Sequence, residues 1–209
     1  MHLYGLIIGI AIIVGIDYFS KHSRFLSTKQ QYIFLIGLLI SMLIGARAYH
    51  VIDQWHFYSR NLWLIPQTWG GGLGIYGALI LGTIFTYLYS KFNKISFLKI
   101  LDSITSILPL CQAIGRLGNF VNHEIPTWWL EASLNLILFF LIKSTYLKRY
   151  SSTSLYLIGY GLIRFFIEFF RSDTWQINGF KIAQIISLLF ILIGLIILKY
   201  TSRSNNLLK

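Results

Sequence analysis

The chain contains 209 residues, of which 56% are hydrophobic and 12% are charged, and its mean hydropathy is +0.65. Soluble domains carry about 25% charged residues, so this chain lacks about half of their usual solubilising side chains. The composition therefore excludes an ordinary soluble domain. The single cysteine, Cys111, excludes an internally disulfide-bonded scaffold. We predict an all-α, polytopic membrane protein.

Apolar runs long enough to cross a membrane recur from Leu3 to Ile197. Their hydropathy predicts seven transmembrane helices in a single transmembrane domain over residues 1–209, with no separate soluble head domain. The predicted spans are residues 3–20, 31–57, 72–90, 98–122, 127–146, 153–170 and 180–198.

The net charge of +11 raises the possibility of nucleic-acid binding, but the distribution of the charges argues against it. Twelve basic residues lie in alternate connections and in the C-terminal tail, whereas the opposite side holds Arg60, Arg171 and Lys181. By the positive-inside rule this asymmetry predicts that the N-terminus lies outside and the C-terminus inside. We therefore predict membrane lipids, and no nucleic acid, as partners.

Three arginines, Arg47, Arg116 and Arg164, lie inside or at the edge of apolar spans. An arginine near the bilayer centre costs about 2.5–3.5 kcal/mol on insertion scales, so each needs compensation. For Arg47, close to His50 and Asp53, snorkelling or pairing is as good an explanation as a functional role. The acidic residues available as partners are Asp102, Glu124, Glu131 and Glu168.

The third span begins with a glycine-rich run, WGGGLGIYGALILG. It contains a GxGxxG spacing at Gly72, Gly74 and Gly77, but no βαβ unit surrounds it, so we exclude a dinucleotide site. The clustered glycines predict irregular backbone at membrane depth. Tyr76 then either faces a cavity or belongs to the interfacial aromatic belt.

The fourth span ends in GRLGNFVNHE, residues 115–124. Its polar residues include Arg116, Asn119 and Asn122, with Glu124 just beyond the span. Amides and a guanidinium at this spacing suit a lipid headgroup. The alternative is a structural hydrogen-bond cluster between helices, with Gly115 and Gly118 allowing close helix contact.

The sixth span contains YGLIRFFIEFFR. On a helix of 3.6 residues per turn, four of its polar side chains fall within about 80° of one another and form one stripe. These residues are Tyr160, Arg164, Glu168 and Arg171. A structural pair between Arg164 and Glu168 is the alternative, although it leaves Tyr160 and Arg171 unexplained.

These stretches, together with Tyr4-Gly5 and Gly45-Ala46-Arg47, resemble the bacterial prolipoprotein diacylglyceryl transferases. In that family GRxGNFxNxE follows an Asp-containing span start and precedes a PT(x)nYE element, YGxxRFxxEFxR, and a last span with Gln and Ser. The further matching residues here are Asp102, Pro126, Thr127, Glu131, Gln184 and Ser187. All occur in order, and the resemblance runs from Tyr4 to about Leu198.

The resemblance implies an enzyme of the bacterial cytoplasmic (inner) membrane whose site opens to the outer leaflet. It would transfer the diacylglyceryl group of phosphatidylglycerol to the lipobox cysteine thiol in a prolipoprotein signal peptide, giving a thioether and releasing glycerol phosphate. No cofactor is expected. No metal is expected either, because the five histidines are scattered without a ligand pair.

The resemblance also assigns roles to residues. Arg116 and Arg164 would bind the lipid phosphate and stabilise its developing charge, as an arginine fork does. The candidates for the base that deprotonates the thiol are Glu168, Glu124 and Tyr76. The expected substrate-binding residues are Tyr4, Arg47, Gly115, Asn119, Asn122, Tyr160 and Arg171.

The chain departs from the family pattern at three points. Pro126 follows Glu124 after one residue, where the family usually inserts an exported head segment. Tyr76 occupies the position at which some members have a proposed catalytic histidine. Leu130 replaces the tyrosine of the YE element. A catalytically altered homologue therefore remains an alternative. A transporter that binds anionic headgroups is another, although we find no repeated half.

Overall fold

The computed structural model describes residues 2–122, 126–144, 150–171, 176–177 and 180–206. These residues are almost entirely helical. The helices are α1 (His2–His22), α2 (Thr28–Asp53), α3 (Trp55–Tyr58), α4 (Ile75–Phe92), α5 (Phe97–Thr105), α6 (Leu108–Val121), α7 (Trp128–Lys143), α8 (Ser152–Ile167) and α9 (Ile182–Asn206). Short 3-10 helices occupy Leu62–Leu64 and Glu168–Phe170.

A two-stranded hairpin precedes α9, and the sequence analysis did not predict it. Strand β1 (Gln176–Ile177) pairs antiparallel with β2 (Phe180–Lys181), with Gln176 opposite Lys181. The predicted start of the last span at residue 180 is therefore two residues early, because these residues form the second strand. The all-helical prediction holds for the rest of the described chain.

A helix or helix pair lies at each of the seven predicted spans. Within the described residues, four helical segments are long and apolar enough to cross a membrane, and a fifth is obtained when a bent pair counts as one span. The four segments are Leu3–His22, Thr28–Asp53, Ser152–Phe170 and Ile182–Ser202.

The bent pair is the fourth predicted span, in which α5 and α6 meet at 42°. The cause is Pro109, which lies in the first turn of α6. Proline lacks the N–H that would bond to the carbonyl four residues earlier, at Thr105, and its ring collides with that carbonyl. The continuous helix that apolarity predicted over 98–122 is therefore broken at residues 106–107.

The chain divides into two compact units, Met1–His22 with Leu101–Lys209, and Ser23–Ile100. We call them the first and second units. The single transmembrane domain expected from the sequence stays a prediction.

In the second unit α2 and α4 cross with their backbones in contact. A Cβ atom added at Gly45 would overlap the carbonyl oxygen of Gly77, and one added at Gly77 would overlap that of Gly45. The backbone N–H of Gly74 donates to the carbonyl of Ala46 at 2.9 Å. Small residues thus allow the close helix approach that membrane proteins use in place of hydrophobic driving force.

In the first unit α1 contacts α6, and α6, α7, α8 and α9 then contact one another in sequence order. Asp102 of α5 holds the start of α8. Its Oδ1 accepts hydrogen bonds from Ser151 Oγ at 2.6 Å and from Thr153 N and Oγ1, both at 2.8 Å. A carboxylate at this position also stabilises the positive end of the helix dipole.

Candidate active site

Glu131, on α7, is fully buried in the first unit. Arg116, on α6, donates through Nη2 to Glu131 Oε1 and through Nη1 to Asn119 Oδ1 at 3.0 Å. An isolated carboxylate is very unfavourable in a membrane interior, so the charge of Glu131 requires this partner. The two residues fix the relative position of α6 and α7.

Arg164, on α8, lies between two buried carboxylates. Its Nη1 is 3.9 Å from Glu131 Oε2, and its Nη2 is 3.1 Å from Glu168 Oε2. Glu131 thus interacts with both arginines, and Glu168 adds a second negative charge. We call Arg116, Glu131, Arg164 and Glu168 the Arg–Glu network.

The Arg–Glu network contains two positive and two negative charges. The carboxylates are completely buried, whereas the arginine side chains remain about one fifth exposed, at 21% and 20%. The exposed parts of the network therefore belong to the arginine side chains. Such a site attracts an anion to the guanidinium groups, while the buried carboxylates hold those groups in place.

The structure places the other residues predicted near Arg116 on α6 and α1. Asn119 is buried and accepts from Arg116. The ring of Tyr4, on α1, lies against Gly118 so closely that a Cβ there would come within 2.8 Å of it, whereas Gly115 lies nearer Ile8. Asn122 is exposed at the C-terminal end of α6. Asn119 thus lies beside Arg116, whereas the contact of Tyr4 with α6 is at Gly118.

The predicted helical stripe from Tyr160 to Arg171 is wrong at its far end. Helix α8 ends at Ile167, a 3-10 turn follows, and the backbone at Arg171 is extended, with φ −104° and ψ 129°. Lys181 donates to the carbonyl oxygens of Glu168 and Arg171 and so closes this turn. Tyr160 and Arg164 remain on the helix, where Tyr160 stacks on Tyr156 with ring centroids 5.5 Å apart.

Arg47 belongs to the second unit, where it is 8% exposed. It donates four hydrogen bonds of 2.6–3.0 Å to backbone carbonyls, at Leu64, Ile65, Gly71 and Gly72. These bonds, and not His50 or Asp53, offset its charge. Arg47 therefore holds the segment between α3 and α4, and its substrate-binding role stays a prediction.

The glycine-rich run forms the irregular backbone that the sequence predicts, with α4 beginning only at Ile75. Gly71 and Gly72 have φ of +90° and +71°, a conformation that residues with a Cβ rarely adopt. Tyr76 lies in the first turn of α4, half-buried, with its ring centroid 5.9 Å from that of Tyr49. Its role as a base stays a prediction.

Two further predictions concern Glu124 and the binding of a metal ion. Glu124 lies outside the described residues. Within the described part of the chain, no group of three or more His, Cys, Asp or Glu side chains is placed to hold a metal ion.

Glu131 is the residue that the sequence analysis missed. The sequence indicates it as a possible ion-pair partner and as part of a family motif, but does not predict it as a site residue. The available signal was the scarcity of acids, since the chain contains seven Asp and Glu residues for 18 Lys and Arg. A carboxylate in an apolar span has to lie near a buried arginine.

Comparison with known proteins agrees with these motifs. The family model described as prolipoprotein diacylglyceryl transferase matches residues 1–128 and 125–200. Proteins named phosphatidylglycerol–prolipoprotein diacylglyceryl transferase are similar to most of the chain. That of Finegoldia magna is 34% identical, covering 94% of this chain and 90% of the relative.

Two further relatives of the same name give similar values. The Clostridium novyi protein is 34% identical over 97% of this chain and 92% of its own length. The Clostridioides difficile protein is 32% identical over 97% of this chain and 91% of its own length. Because the family model matches nearly all of the 209 residues of this chain, the chain belongs to the prolipoprotein diacylglyceryl transferase family.

Proposed function

We propose that this protein transfers the diacylglyceryl group of phosphatidylglycerol to the lipobox cysteine of a prolipoprotein. The observation that carries the proposal is the pair of arginines held by Glu131 in the first unit of a chain that belongs to this family. The lipid donor supplies the anion for which these guanidinium groups are suited.

The reaction is a substitution at the carbon of the diacylglyceryl group that bears the phosphate. The thiolate sulfur of the substrate forms a bond to that carbon while the carbon–oxygen bond breaks, and the electron pair leaves with the phosphate. The products are a thioether and glycerol phosphate. The thiol proton passes to a base, and no covalent intermediate with the enzyme is needed.

Arg116 and Arg164 would act on the leaving phosphate. Negative charge on this group grows as the carbon–oxygen bond breaks, so cations aimed at it stabilise the transition state more than the ground state. Arg116 uses Nη1 and Nη2 for Asn119 and Glu131, and its remaining N–H groups can serve the phosphate. Arg164 Nη1 makes no hydrogen bond within the described residues.

Glu131 would act as the positioning residue for both arginines. Because it is fully buried and lies next to both, it fixes their guanidinium groups before the lipid arrives. Such preorganisation removes the cost of reorienting charges during the reaction.

The base remains one of Glu168, Glu124 and Tyr76. The cysteine thiol, with an ordinary pKa of about 8.5, has to lose its proton to attack. Glu168 is buried beside Arg164, and Tyr76 is half-buried in the second unit. Asn119, Asn122 and Tyr160 would orient the lipid headgroup.

We further propose seven transmembrane spans, with the N-terminus outside and the C-terminus inside, in the bacterial cytoplasmic membrane. The unequal distribution of Lys and Arg between the two sets of loops supports this orientation. In this orientation, the C-terminal ends of α6 and α8 face outward.

The experiment that tests the function uses the purified protein in detergent with phosphatidylglycerol and a synthetic lipobox peptide. Mass spectrometry should find the peptide with one diacylglyceryl group added at its cysteine, and no product from a peptide with serine in place of that cysteine. Absence of the product, with the protein folded, would support a catalytically altered homologue or a transporter.

A further inference from the structure

A fully buried asparagine lies one helical turn beyond Glu131. Asn135, on α7, has no exposed surface, and neither its Oδ1 nor its Nδ2 finds a hydrogen-bond partner among the described residues. An amide with no partner in an apolar interior is strongly unfavourable. Asn135 therefore calls for a partner that the described residues do not supply.

Two contacts locate Asn135 at the interface between α7 and α8. Leu138 of α7 lies against Gly159 of α8, so that an added Cβ there would overlap the leucine. Glu131 of α7 lies beside Arg164 of α8. Residues four and three apart share one helix face, so Asn135 faces α8 between these two contacts.

Further buried polar atoms without hydrogen-bond partners lie at the same interface. Within the described residues these are Glu131 Oε2 and Arg164 Nη1, which are 3.9 Å apart. Asn135 adds one acceptor and an NH2 donor. The interface therefore offers acceptors and donors together, next to the residue assigned to the lipid phosphate.

This mixture of groups defines the chemistry of the missing partner. A phosphate oxygen only accepts hydrogen bonds, so it can bond to the guanidinium groups but not to Glu131 Oε2 or Asn135 Oδ1. An ammonium group only donates, and Arg164 would repel it. A hydroxyl group donates one hydrogen bond and accepts two without bringing a charge, so it can serve Asn135 and its charged neighbours at once.

We propose that Asn135, with Glu131 and Arg164, forms a binding site for a hydroxyl group between α7 and α8. The hydroxyl belongs either to the glycerol headgroup of the donor lipid or to a bound water molecule. The headgroup assignment rests on the proposed function, because it takes phosphatidylglycerol as the donor. It makes Asn135 a residue that selects a headgroup with hydroxyl groups.

The test compares Asn135→Leu with the wild type in the presence of two lipids. Phosphatidylglycerol and phosphatidylethanol carry the same phosphate charge, but the second has no headgroup hydroxyl. The thermal midpoint of the detergent-purified protein is measured with each lipid, since a bound ligand raises it. Thr86→Val is the matched control, because Thr86 is buried on α4 with its hydroxyl bonded to Gly82 O at 2.8 Å.

If the headgroup supplies the hydroxyl, phosphatidylglycerol should stabilise the wild type more than phosphatidylethanol does. In Asn135→Leu the two lipids should then act equally, and KM for phosphatidylglycerol should rise about tenfold, as for one lost hydrogen bond. If water supplies it, Asn135→Leu should lower the midpoint equally with both lipids. A midpoint that is unchanged or raised with both lipids, with unchanged KM, would overturn the proposal. Asn135→Ala, which cannot clash with α8, replaces the leucine variant if that does not fold.

The outcome is separable from that of the proposed function. The lipid-dependent midpoints are read without any peptide, whereas the function requires transfer to the lipobox cysteine by the wild type. A wild type that transfers while Asn135→Leu matches it in every measurement would refute the hydroxyl site alone. Lipid-selective midpoints without transfer would refute the function alone.

Discussion

Removal of the Glu131 charge is the perturbation for which the structure gives the clearest expectation. Glu131→Gln keeps the size of the side chain, but it changes the Arg–Glu network from neutral to a net charge of +1. Removing one partner of a buried ion pair costs about 3–5 kcal/mol. Because Arg116 and Arg164 are 21% and 20% exposed, water compensates them in part. We therefore expect a loss of about 2–3 kcal/mol.

The assay is thermal unfolding in a neutral detergent. For a chain of this size, 1 kcal/mol corresponds to about 2–4 °C, so the midpoint should fall by about 4–12 °C. Asp17→Asn is the control, since it removes a surface ion pair. The Asp17 side chain is 59% exposed, and its Oδ2 lies 2.8 Å from Lys21 Nζ. Such a surface pair contributes less than about 1 kcal/mol.

Phosphatidylglycerol should partly restore the stability of Glu131→Gln, because its phosphate supplies the missing negative charge. The lipid should therefore raise the midpoint of this variant more than that of the wild type. Unfolding of the variant within about 1 °C of the wild type would refute the account of Glu131 as the residue that holds both arginines.

The remaining predictions concern three other positions. Arg47→Lys should lower the free energy of unfolding by about 2–4 kcal/mol in denaturant unfolding, because lysine cannot replace four hydrogen bonds to separate carbonyls; wild-type stability would contradict this. Tyr76→Phe should lower turnover strongly if Tyr76 is the base, and Tyr76→His should keep some activity with a pH profile shifted toward neutrality; a fully active Phe variant makes Tyr76 a packing residue. Asn206→Cys should resist an impermeant thiol reagent in intact cells, and ready labelling would contradict a C-terminus inside.

The helices could be predicted from the sequence because apolar runs of sufficient length have few alternatives in a membrane. The break between α5 and α6 was missed, although Pro109 marks it, since the apolar run continues past the proline. The hairpin before α9 was missed because its strands are short. Two-residue strands such as Gln176–Ile177 are too short to produce an alternating pattern.

The site was predictable for residues whose charge conflicts with their surroundings. Arg116 and Arg164 stood out because an arginine in an apolar span needs compensation. Their shared partner, Glu131, lies on another helix, and sequence spacing carries no information about that contact. The partners of Arg47 were beyond prediction, because they are backbone carbonyls, which every residue has.

The central claim is that Arg116 and Arg164 act on the lipid phosphate and do not only hold the helices together. The most direct measurement is the transfer rate of Arg116→Lys and Arg164→Lys, each normalised to its folded fraction in the same detergent. Lysine keeps the charge but loses the fork, so the normalised rate should fall about 100-fold or more, as for a lost transition-state contact. A rate that falls only in proportion to the folded fraction would contradict the claim and make both arginines structural.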